Sequence, residues 1–255
     1  MTKILSDALL RDISNLYDGT DDYDVKIEVG QEVETEIFKA HSVILRARSS
    51  YFRAAFSSNW AMKEGDFLIL KKPNMSPLVF QSILKNNFNS SIFTARQFCL
   101  ISYWINGQEP LLTDLKSIDY EFKLLLRGSK DGFKPEDFLS RCSNKGATIV
   151  IIKLKNSEKI IGGYNPITWS RTGTFLKTDK SFIFSLDKSL KSIILSRVKD
   201  SGYAISDDAL NKIGFGKGDL YIFLNRCDLQ DYTVKILDSK SFEIVDYEVF
   251  QVLTK

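Results

Sequence analysis

The stretch Gly214–Asp219, Gly-Phe-Gly-Lys-Gly-Asp, is the part of the sequence that most resembles a phosphate-binding loop. Glycine-rich turns that carry a lysine cradle phosphates in nucleotide-binding proteins. The Walker pattern, however, needs a glycine at position 211 and Ser or Thr after the lysine, where this chain has Asn211 and Gly218. The dinucleotide fingerprint needs a glycine at position 219 and then a helix, whereas Asp219 leads into a strand-like run. The pattern therefore favours a β-turn or bulge, where glycine adopts backbone angles that other residues avoid.

Two further side chains could carry acid–base or thiol chemistry. His41 is the only histidine, which excludes zinc sites that need two imidazoles. It lies between a predicted strand and a predicted helix, and no motif marks a nucleophile for it to activate, so a structural role is favoured over a general base. Cys142 ends a predicted short helix close to Lys145, which could lower the pKa of the thiol and create a redox sensor. The alternative, a buried cysteine that packs as a small apolar residue, is favoured.

Six acidic residues could build a carboxylate pair or a cation site. None of their spacings matches a calcium-binding loop. The alternative assigns them to turns, to the first turns of helices and to strand edges, where single carboxylates are common. The six are Asp131, Glu136, Asp137, Asp219, Asp246 and Glu248.

The composition describes an ordinary globular protein. The chain has 255 residues, 44% of them hydrophobic and 26% charged, with a net charge of +3, so we expect one or two domains and no general need for a nucleic-acid partner. Its three cysteines are far apart, which suits a reducing compartment and predicts a cytoplasmic location. The longest apolar run, Ala147–Ile152, is too short to span a membrane, so no membrane insertion is expected.

The elements that must position these residues fall into two halves. The first half alternates helical and strand-like periods, and the second half, after about Lys123, consists mainly of β-branched and aromatic runs separated by glycine turns. In the first half we predict a helix over 4–16, strands over 25–29, 35–40 and 67–69, a helix over 41–56 and a helix starting at Ser76-Pro77. In the second half we predict a helix through 98–104, a helix from Pro135 to Cys142 and strands over 148–154, 182–186, 220–224, 233–237 and 242–252.

The first half resembles a BTB (POZ) domain over about residues 4 to 85. The residues that carry the resemblance are Asp24-Val25-Lys26-Ile27, Phe38-Lys39-Ala40-His41, Val43-Ile44-Leu45, Ser49-Ser50-Tyr51-Phe52 and Phe56. The resemblance implies that the leading helix, with Leu5 and Leu9, helps to form a homodimer, and that Asp24, His41, Tyr51 and Phe52 have structural or interface roles. Many BTB proteins tether substrates to cullin-type ubiquitin ligases.

The BTB-like module is predicted to be incomplete. BTB domains normally continue for several helices after the position of Lys85, and those helices carry much of the ligase-binding surface. In this chain Asn86-Asn87-Phe88 intervenes instead. The resemblance therefore implies ligase recruitment less strongly than it implies self-association.

The second half resembles a TLDc domain over roughly residues 123 to 252. The family's motifs appear in order as Leu125-Leu126-Arg127-Gly128-Ser129-Lys130-Asp131-Gly132-Phe133, Ile161-Gly162-Gly163-Tyr164, Trp169, Gly214-Phe215-Gly216-Lys217-Gly218-Asp219 and Asp246-Tyr247-Glu248-Val249-Phe250. The resemblance implies an antiparallel β-sandwich with short helices, a link to oxidative-stress resistance and, in several members, binding to the vacuolar-type proton ATPase. It implies no catalytic mechanism.

The sequence thus predicts an α+β protein in two parts. Residues 1–88 form an incomplete BTB-like module of mixed helices and strands, 89–122 a linker and lead-in helix, and 123–255 a TLDc β-sandwich. We expect a non-enzymatic interaction protein without a cofactor or metal. Its expected partners are a second copy of itself, a cullin-type ligase and the vacuolar-type proton ATPase. The alternatives are a hydrolase or redox protein that uses Cys142 or the carboxylates, and a degenerate paralogue without adaptor activity.

Overall fold

The computed structural model describes residues 23–30, 35–48, 50–57, 62–73, 77, 80, 90–112, 115, 119–208 and 212–254. The chain divides into two compact units, Met1–Gln81 and Ser82–Lys255. The predicted first helix with Leu5 and Leu9 lies outside the described residues, as do Asn86–Phe88 and most of the helix predicted from Ser76.

The first unit contains a mixed sheet next to two short helices. In chain order its described elements are β1 (Val25–Val29), β2 (Glu36–Ala40), α1 (Ser42–Arg48), α2 (Ser50–Ala55), β3 (Met62–Glu64) and β4 (Phe67–Lys72). The strand order is β2-β1-β4-β3, with β1 antiparallel to β2 and parallel to β4. The alternation in β1 is confirmed, because Val25, Ile27 and Val29 are fully buried. The single helix predicted over 41–56 is present as α1 and α2.

The second unit is built on two antiparallel sheets. Its strands are β5 (Tyr120–Arg127), β6 (Thr148–Leu154), β7 (Lys159–Asn165), β8 (Phe175–Leu176), β9 (Phe182–Asp187), β10 (Ile193–Arg197), β11 (Ile205–Asp208), β12 (Lys212–Phe215), β13 (Leu220–Tyr221) and β14 (Ile244–Thr254). The larger sheet has the order β10-β9-β7-β6-β14-β5 and the smaller one β13-β12-β11-β8. The helices are α3 (Ala95–Ile105), α4 (Gly128–Asp131) and α5 (Pro135–Cys142). This arrangement confirms the predicted fold class.

The larger sheet is covered on both faces. On one face the α3 residue Phe98 packs against Phe122 of β5 and Phe250 of β14, with ring centroids 4.8 and 5.1 Å apart. On the other face the smaller sheet approaches closely enough that a Cβ on Gly163 of β7 would lie 2.5 Å from the Phe215 ring of β12. None of the described helices is long and apolar enough to cross a membrane.

Two strand predictions need correction. The run 220–224 forms a strand only at Leu220–Tyr221, and 233–237 is not a strand. The backbone of Thr233 donates to the Arg197 carbonyl at 3.0 Å, and that of Val234 donates to the Ser196 hydroxyl at 2.8 Å. These bonds hold an irregular segment along β10. Only Ile236 and Leu237 of this segment are buried in the core, whereas Thr233 and Val234 are exposed.

The predicted start of the second domain at residue 123 also changes. Helix α3, expected as a lead-in, is part of the core: Phe98, Cys99 and Ile101 are fully buried, and Trp104 packs on Phe182 of β9. Ser90 and Ser91, assigned to a linker from their polar character, bond to a side chain of β14. The domain therefore includes α3 and the two serines before it, because without α3 one face of the larger sheet would be exposed.

Candidate functional site

The first and last sequence motifs of the second unit meet where β5 ends. Strands β5 and β14 are antiparallel and place Arg127 opposite Glu248. Arg127 Nε donates to Glu248 Oε1 at 2.8 Å, and the Glu248 side chain is fully buried, whereas that of Arg127 is 21% exposed. A buried carboxylate needs a partner of this kind, because removing a charge from water is costly.

The remaining bonds to Glu248 come from two serines that precede α3. Ser91 donates its backbone N–H (2.8 Å) and its hydroxyl (2.9 Å) to Oε1, and the Ser90 hydroxyl donates to Oε2 at 2.5 Å. The Ser90 hydroxyl also accepts from the backbone of Phe93 at 2.8 Å. Glu248 thus fixes the chain that leads into the covering helix, and its carboxylate is fully used in bonds to its own domain.

The neighbouring motif residues hold the turn at α4. Asp246 accepts from the backbone (2.8 Å) and hydroxyl (2.7 Å) of Ser129. Asp131 accepts from the backbone of Arg127 at 2.9 Å and pairs with Arg141 at 2.9 Å.

Glycine is required at two positions of this turn. A Cβ on Gly128 would lie 2.6 Å from the ring of Tyr247. Gly132 has a φ of +114° and packs directly against the Asp137 carboxylate.

The glycine-rich stretch forms a tight turn between β12 and β13, as the sequence predicts. The carboxylate of Asp219 is buried and accepts from the backbones of Gln230 (2.8 Å), Asp231 (3.0 Å) and Tyr232 (3.1 Å). Burial raises the pKa of Asp219, and these backbone bonds act in the opposite direction.

Two of its three glycines, Gly214 and Gly216, are crowded by the chain's own atoms. The Asp219 carboxylate occupies the space beside Gly216, whose φ is +62°, and the Leu220 carbonyl lies against Gly214. Lys217 bonds through its backbone to the Asp231 carboxylate at 2.7 Å, and its ammonium lies 3.4 Å from the same carboxylate. The turn binds its own chain rather than an anion.

The paired glycines of β7 permit close packing of strands and aromatic rings. A side chain on Gly162 would collide with the Val150 carbonyl of β6 and lie 2.6 Å from the Phe184 ring. Tyr164, next on the strand, stacks on Phe182 with ring centroids 5.2 Å apart. Burial raises the pKa of Tyr164 to about 12.

Trp169 is a core residue. It is fully buried, and its indole Nε1 donates to the Thr148 hydroxyl at 2.8 Å. Its ring packs edge-on against Phe138 and Phe215, at 5.3 and 6.0 Å between centroids. Sequence patterning supplied no partner for the indole N–H, which a buried tryptophan needs.

The environment of Cys142 disfavours thiolate chemistry. The side chain is fully buried at the end of α5, and burial raises its pKa to about 12. Arg141 and Lys145 act to lower that pKa, but the loss of hydration outweighs them. The thiol is therefore protonated at neutral pH.

The remaining two candidate carboxylates serve helix α5. Glu136 is exposed in its first turn, and Asp137 accepts from the Lys134 backbone at 3.1 Å. Asp219 lies on the separate turn of the smaller sheet, so the structure does not gather the six acids into one site. Among the described residues, no group of three or more His, Cys, Asp or Glu side chains is arranged to hold a metal ion.

In the first unit Asp24 holds a helix to the sheet. Its carboxylate accepts from the backbone (2.6 Å) and hydroxyl (2.5 Å) of Ser42, the first residue of α1. Its carbonyl accepts from the backbone of Leu68 in β4 at 2.9 Å. Asp24 therefore joins β1, β4 and the start of α1, which is a structural role.

The other predicted residues of this unit lie along α1 and α2. His41 directly precedes α1, and its carbonyl accepts the first backbone bonds of the helix, from Ile44 and Leu45, at 3.1 Å each. Phe52 is 8% exposed and stacks on Phe56, with centroids 5.8 Å apart. Tyr51 belongs to α2, but its side chain lies outside the described part of the chain.

Sequence reasoning missed two buried acids, Asp231 and Asp207, of which Asp207 belongs to β11 and is 1% exposed. Its Oδ2 accepts from the backbones of Ser170 (3.0 Å) and Thr172 (3.1 Å), and from both hydroxyls. The available signal was the two-residue spacing from Ile205 to Asp207, which places the acid on the same strand face as an apolar residue. A buried acid on that face needs internal partners.

Comparison with known families agrees with the geometry of both units. A family model described as the TLDc domain matches residues 86–253, and one described as the BTB/POZ domain matches residues 13–97. No curated protein matches the chain significantly. The two matched ranges overlap over residues 86–97, which include the serines that bond to Glu248. Both resemblances seen in the sequence are confirmed.

Proposed function

This chain belongs to the TLDc domain family, with a BTB/POZ segment ahead of that domain, and we propose that it is a non-enzymatic protein–protein interaction protein. The first unit brings copies or partners together, and the second presents a TLDc recognition surface.

The main support for the proposal is that the carboxylates of the TLDc motifs form hydrogen bonds within their own domain. Glu248, Asp246 and Asp219 all bind backbone or side-chain groups of their own domain. General acid–base or nucleophilic catalysis needs a group positioned towards a substrate, with a pKa suited to proton transfer. The motif residues instead hold the turns and strands of the domain in place, as an interaction domain requires. A protonated Cys142 is also consistent with a structural residue rather than a nucleophile.

The finer assignments follow from the two families. We propose that the BTB half self-associates, that the TLDc half binds the vacuolar-type proton ATPase in the cytoplasm, and that protection against oxidative stress is the result. Recruitment of a cullin-type ubiquitin ligase is the less favoured partner, because helices that usually contribute to that contact are not recognised in the sequence.

A complementation assay tests the non-enzymatic role. In cells that lack the protein, Cys142→Ala is expected to restore survival under peroxide as well as the unsubstituted chain, provided that the variant is folded by circular dichroism. Loss of protection by a folded Cys142→Ala variant would contradict the proposal and favour thiol chemistry.

The partner is tested by co-elution. The full chain is mixed with the purified cytosolic sector of a vacuolar-type proton ATPase and passed through a size-exclusion column. The proposal predicts a shared peak. Separate elution of the folded chain would overturn this assignment while leaving the self-association of the first unit open to its own test.

A further inference from the structure

The first unit has a cleft of about 460 Å³ that none of the sequence motifs explains. It lies between the two helices and the strands β3 and β4, and it opens to solvent. The residues that line it are Asp24, Ser42, Arg46, Arg53, Phe56, Ser57, Lys63, Asp66 and Leu68.

Three cations border this cleft: Arg46, Arg53 and Lys63, all of them exposed. Arg46 Nη2 donates to the Phe56 carbonyl at 2.7 Å, and Arg53 donates through Nε (3.4 Å) and Nη2 (3.3 Å) to the Arg46 carbonyl. These backbone anchors restrict both guanidinium groups while leaving further N–H donors unused. Within the described part of the chain, none of the three cations forms an ion pair.

The acids of the cleft do not neutralise these cations. The carboxylate of Asp24 is taken by the backbone and hydroxyl of Ser42. Asp66 is exposed and forms no ion pair with any described residue. Among the described residues the excess of charge at the rim is therefore positive, and both guanidinium groups retain N–H donors that can bind an anion.

The apolar part of the lining, called the floor of the cleft, consists of Phe56 and Leu68. They are 3% and 9% exposed, so the hydrophobic surface that they present is small. A cleft of this volume has the size of a typical ligand site. An apolar floor with a cationic rim fits a ligand that has both apolar and anionic groups.

We propose that this cleft binds an acidic peptide segment of a partner protein, in which Asp or Glu side chains flank an aliphatic residue. Carboxylates match the arginine forks in charge and geometry, and the aliphatic side chain packs on Phe56 and Leu68. A dianionic phosphate fits less well, because Asp24 and Asp66 would repel the denser charge and it would leave the apolar floor uncovered. This inference rests on the interaction role proposed above and gives one of its surfaces a partner chemistry.

The test is fluorescence anisotropy with the full chain and a labelled six-residue peptide that alternates Glu with Leu. The proposal predicts saturable binding that weakens with added salt. The same peptide with Gln in place of Glu should bind at least about tenfold more weakly, because each charge-assisted hydrogen bond lost contributes on that order. Equal binding of the Glu and Gln peptides would overturn the proposal.

Variants locate the site. Arg46→Gln combined with Arg53→Gln is expected to weaken binding by about tenfold or more. Because both arginines also bond to backbone carbonyls, Lys63→Glu is a second variant, which reverses the charge on the exposed strand β3 without removing those bonds. Lys71→Glu is the matched control, since it makes the same change of charge and Lys71 is exposed, pairs with Glu28 and does not line the cleft.

Each variant and each competitor tests a different part of the proposal. If Lys71→Glu weakens binding as much as Lys63→Glu, the binding follows the net charge of the protein and the assignment to this cleft is wrong. If inorganic phosphate or anionic phospholipid vesicles displace the peptide at equal or lower concentration of anionic groups, the site favours phosphate and the proposal fails. If no peptide binds while the chain still co-elutes with its ATPase partner or self-associates, this inference fails and the proposed function stands.

Discussion

Replacing Arg127 by methionine should strongly destabilise the second unit, because the substitution leaves Glu248 buried without its cation. Methionine retains much of the apolar stem, so the loss is mainly the charge and its 2.8 Å bond to Oε1. Breaking a buried ion pair by removing one partner costs about 3–5 kcal/mol. The 21% exposure of the Arg127 side chain admits some water, so we expect about 3 kcal/mol, at the lower end of that range.

The assay is urea denaturation followed by tryptophan fluorescence, with Arg127→Met, Glu248→Gln and the double variant. Glu248→Gln keeps the shape but weakens the bonds from Ser90, Ser91 and Arg127, at about 1.5–3 kcal/mol for a charged hydrogen bond. In the double variant no buried charge is left unpaired. Its loss should therefore be smaller than the sum of the single losses by about 0.5–3 kcal/mol.

The control is an ion pair of similar length on the surface. Lys155 Nζ lies 2.7 Å from Glu243 Oε2, but the two side chains are 56% and 70% exposed. Lys155→Met should change the free energy of unfolding little, because solvent screens an exposed ion pair. If Arg127→Met costs no more than Lys155→Met, or if the single losses are additive, Glu248 does not hold the domain in the way described.

Three further predictions concern the core. Gly162→Ala should lower the free energy of unfolding by about 1–3 kcal/mol, because the new methyl group meets the Val150 carbonyl. The control Gly202→Ala, whose nearest contact is at 3.4 Å, should change the unfolding midpoint little. Equal midpoints of the two variants would contradict the close packing of β6 and β7. Trp169→Ala should cost about 3–5 kcal/mol in chemical denaturation, and a variant as stable as the original chain would show that this ring is not in the core. Burial raises the pKa of Cys142 from 9.0 to about 12. The contribution of this thiol to the free energy of unfolding is therefore complete below pH 9 and is lost as the pH rises towards 12. Rapid alkylation of Cys142 in the native protein at pH 8 would contradict its burial.

The sequence predicted those parts of the fold that depend on local pattern. The alternation of Val25, Ile27 and Val29 identifies a half-buried strand, and the Pro135 start of α5 is confirmed by the structure. The same method was wrong for residues 233–237. There the buried residues Ile236 and Leu237 fill the core from an irregular segment, and burial alone does not distinguish that segment from a strand.

The candidate site was only partly predictable. The motifs around Arg127 and Glu248 were recognised, and antiparallel pairing of β5 with β14 brings them together. Ser90 and Ser91 were assigned to a linker because their polar character is typical of one. Ser91 bonds to Glu248 across 157 positions of sequence, a contact that no local pattern predicts. The cationic cleft was missed for the same reason, since Arg46 acquires its orientation from the Phe56 carbonyl ten positions later.

Light scattering after size exclusion tests whether the chain works by association through its first unit. We expect a single peak at about twice the 29.1 kDa chain mass, unchanged over a tenfold dilution at micromolar concentration. A monodisperse peak at 29.1 kDa would contradict self-association through the BTB half and leave the TLDc half to act alone.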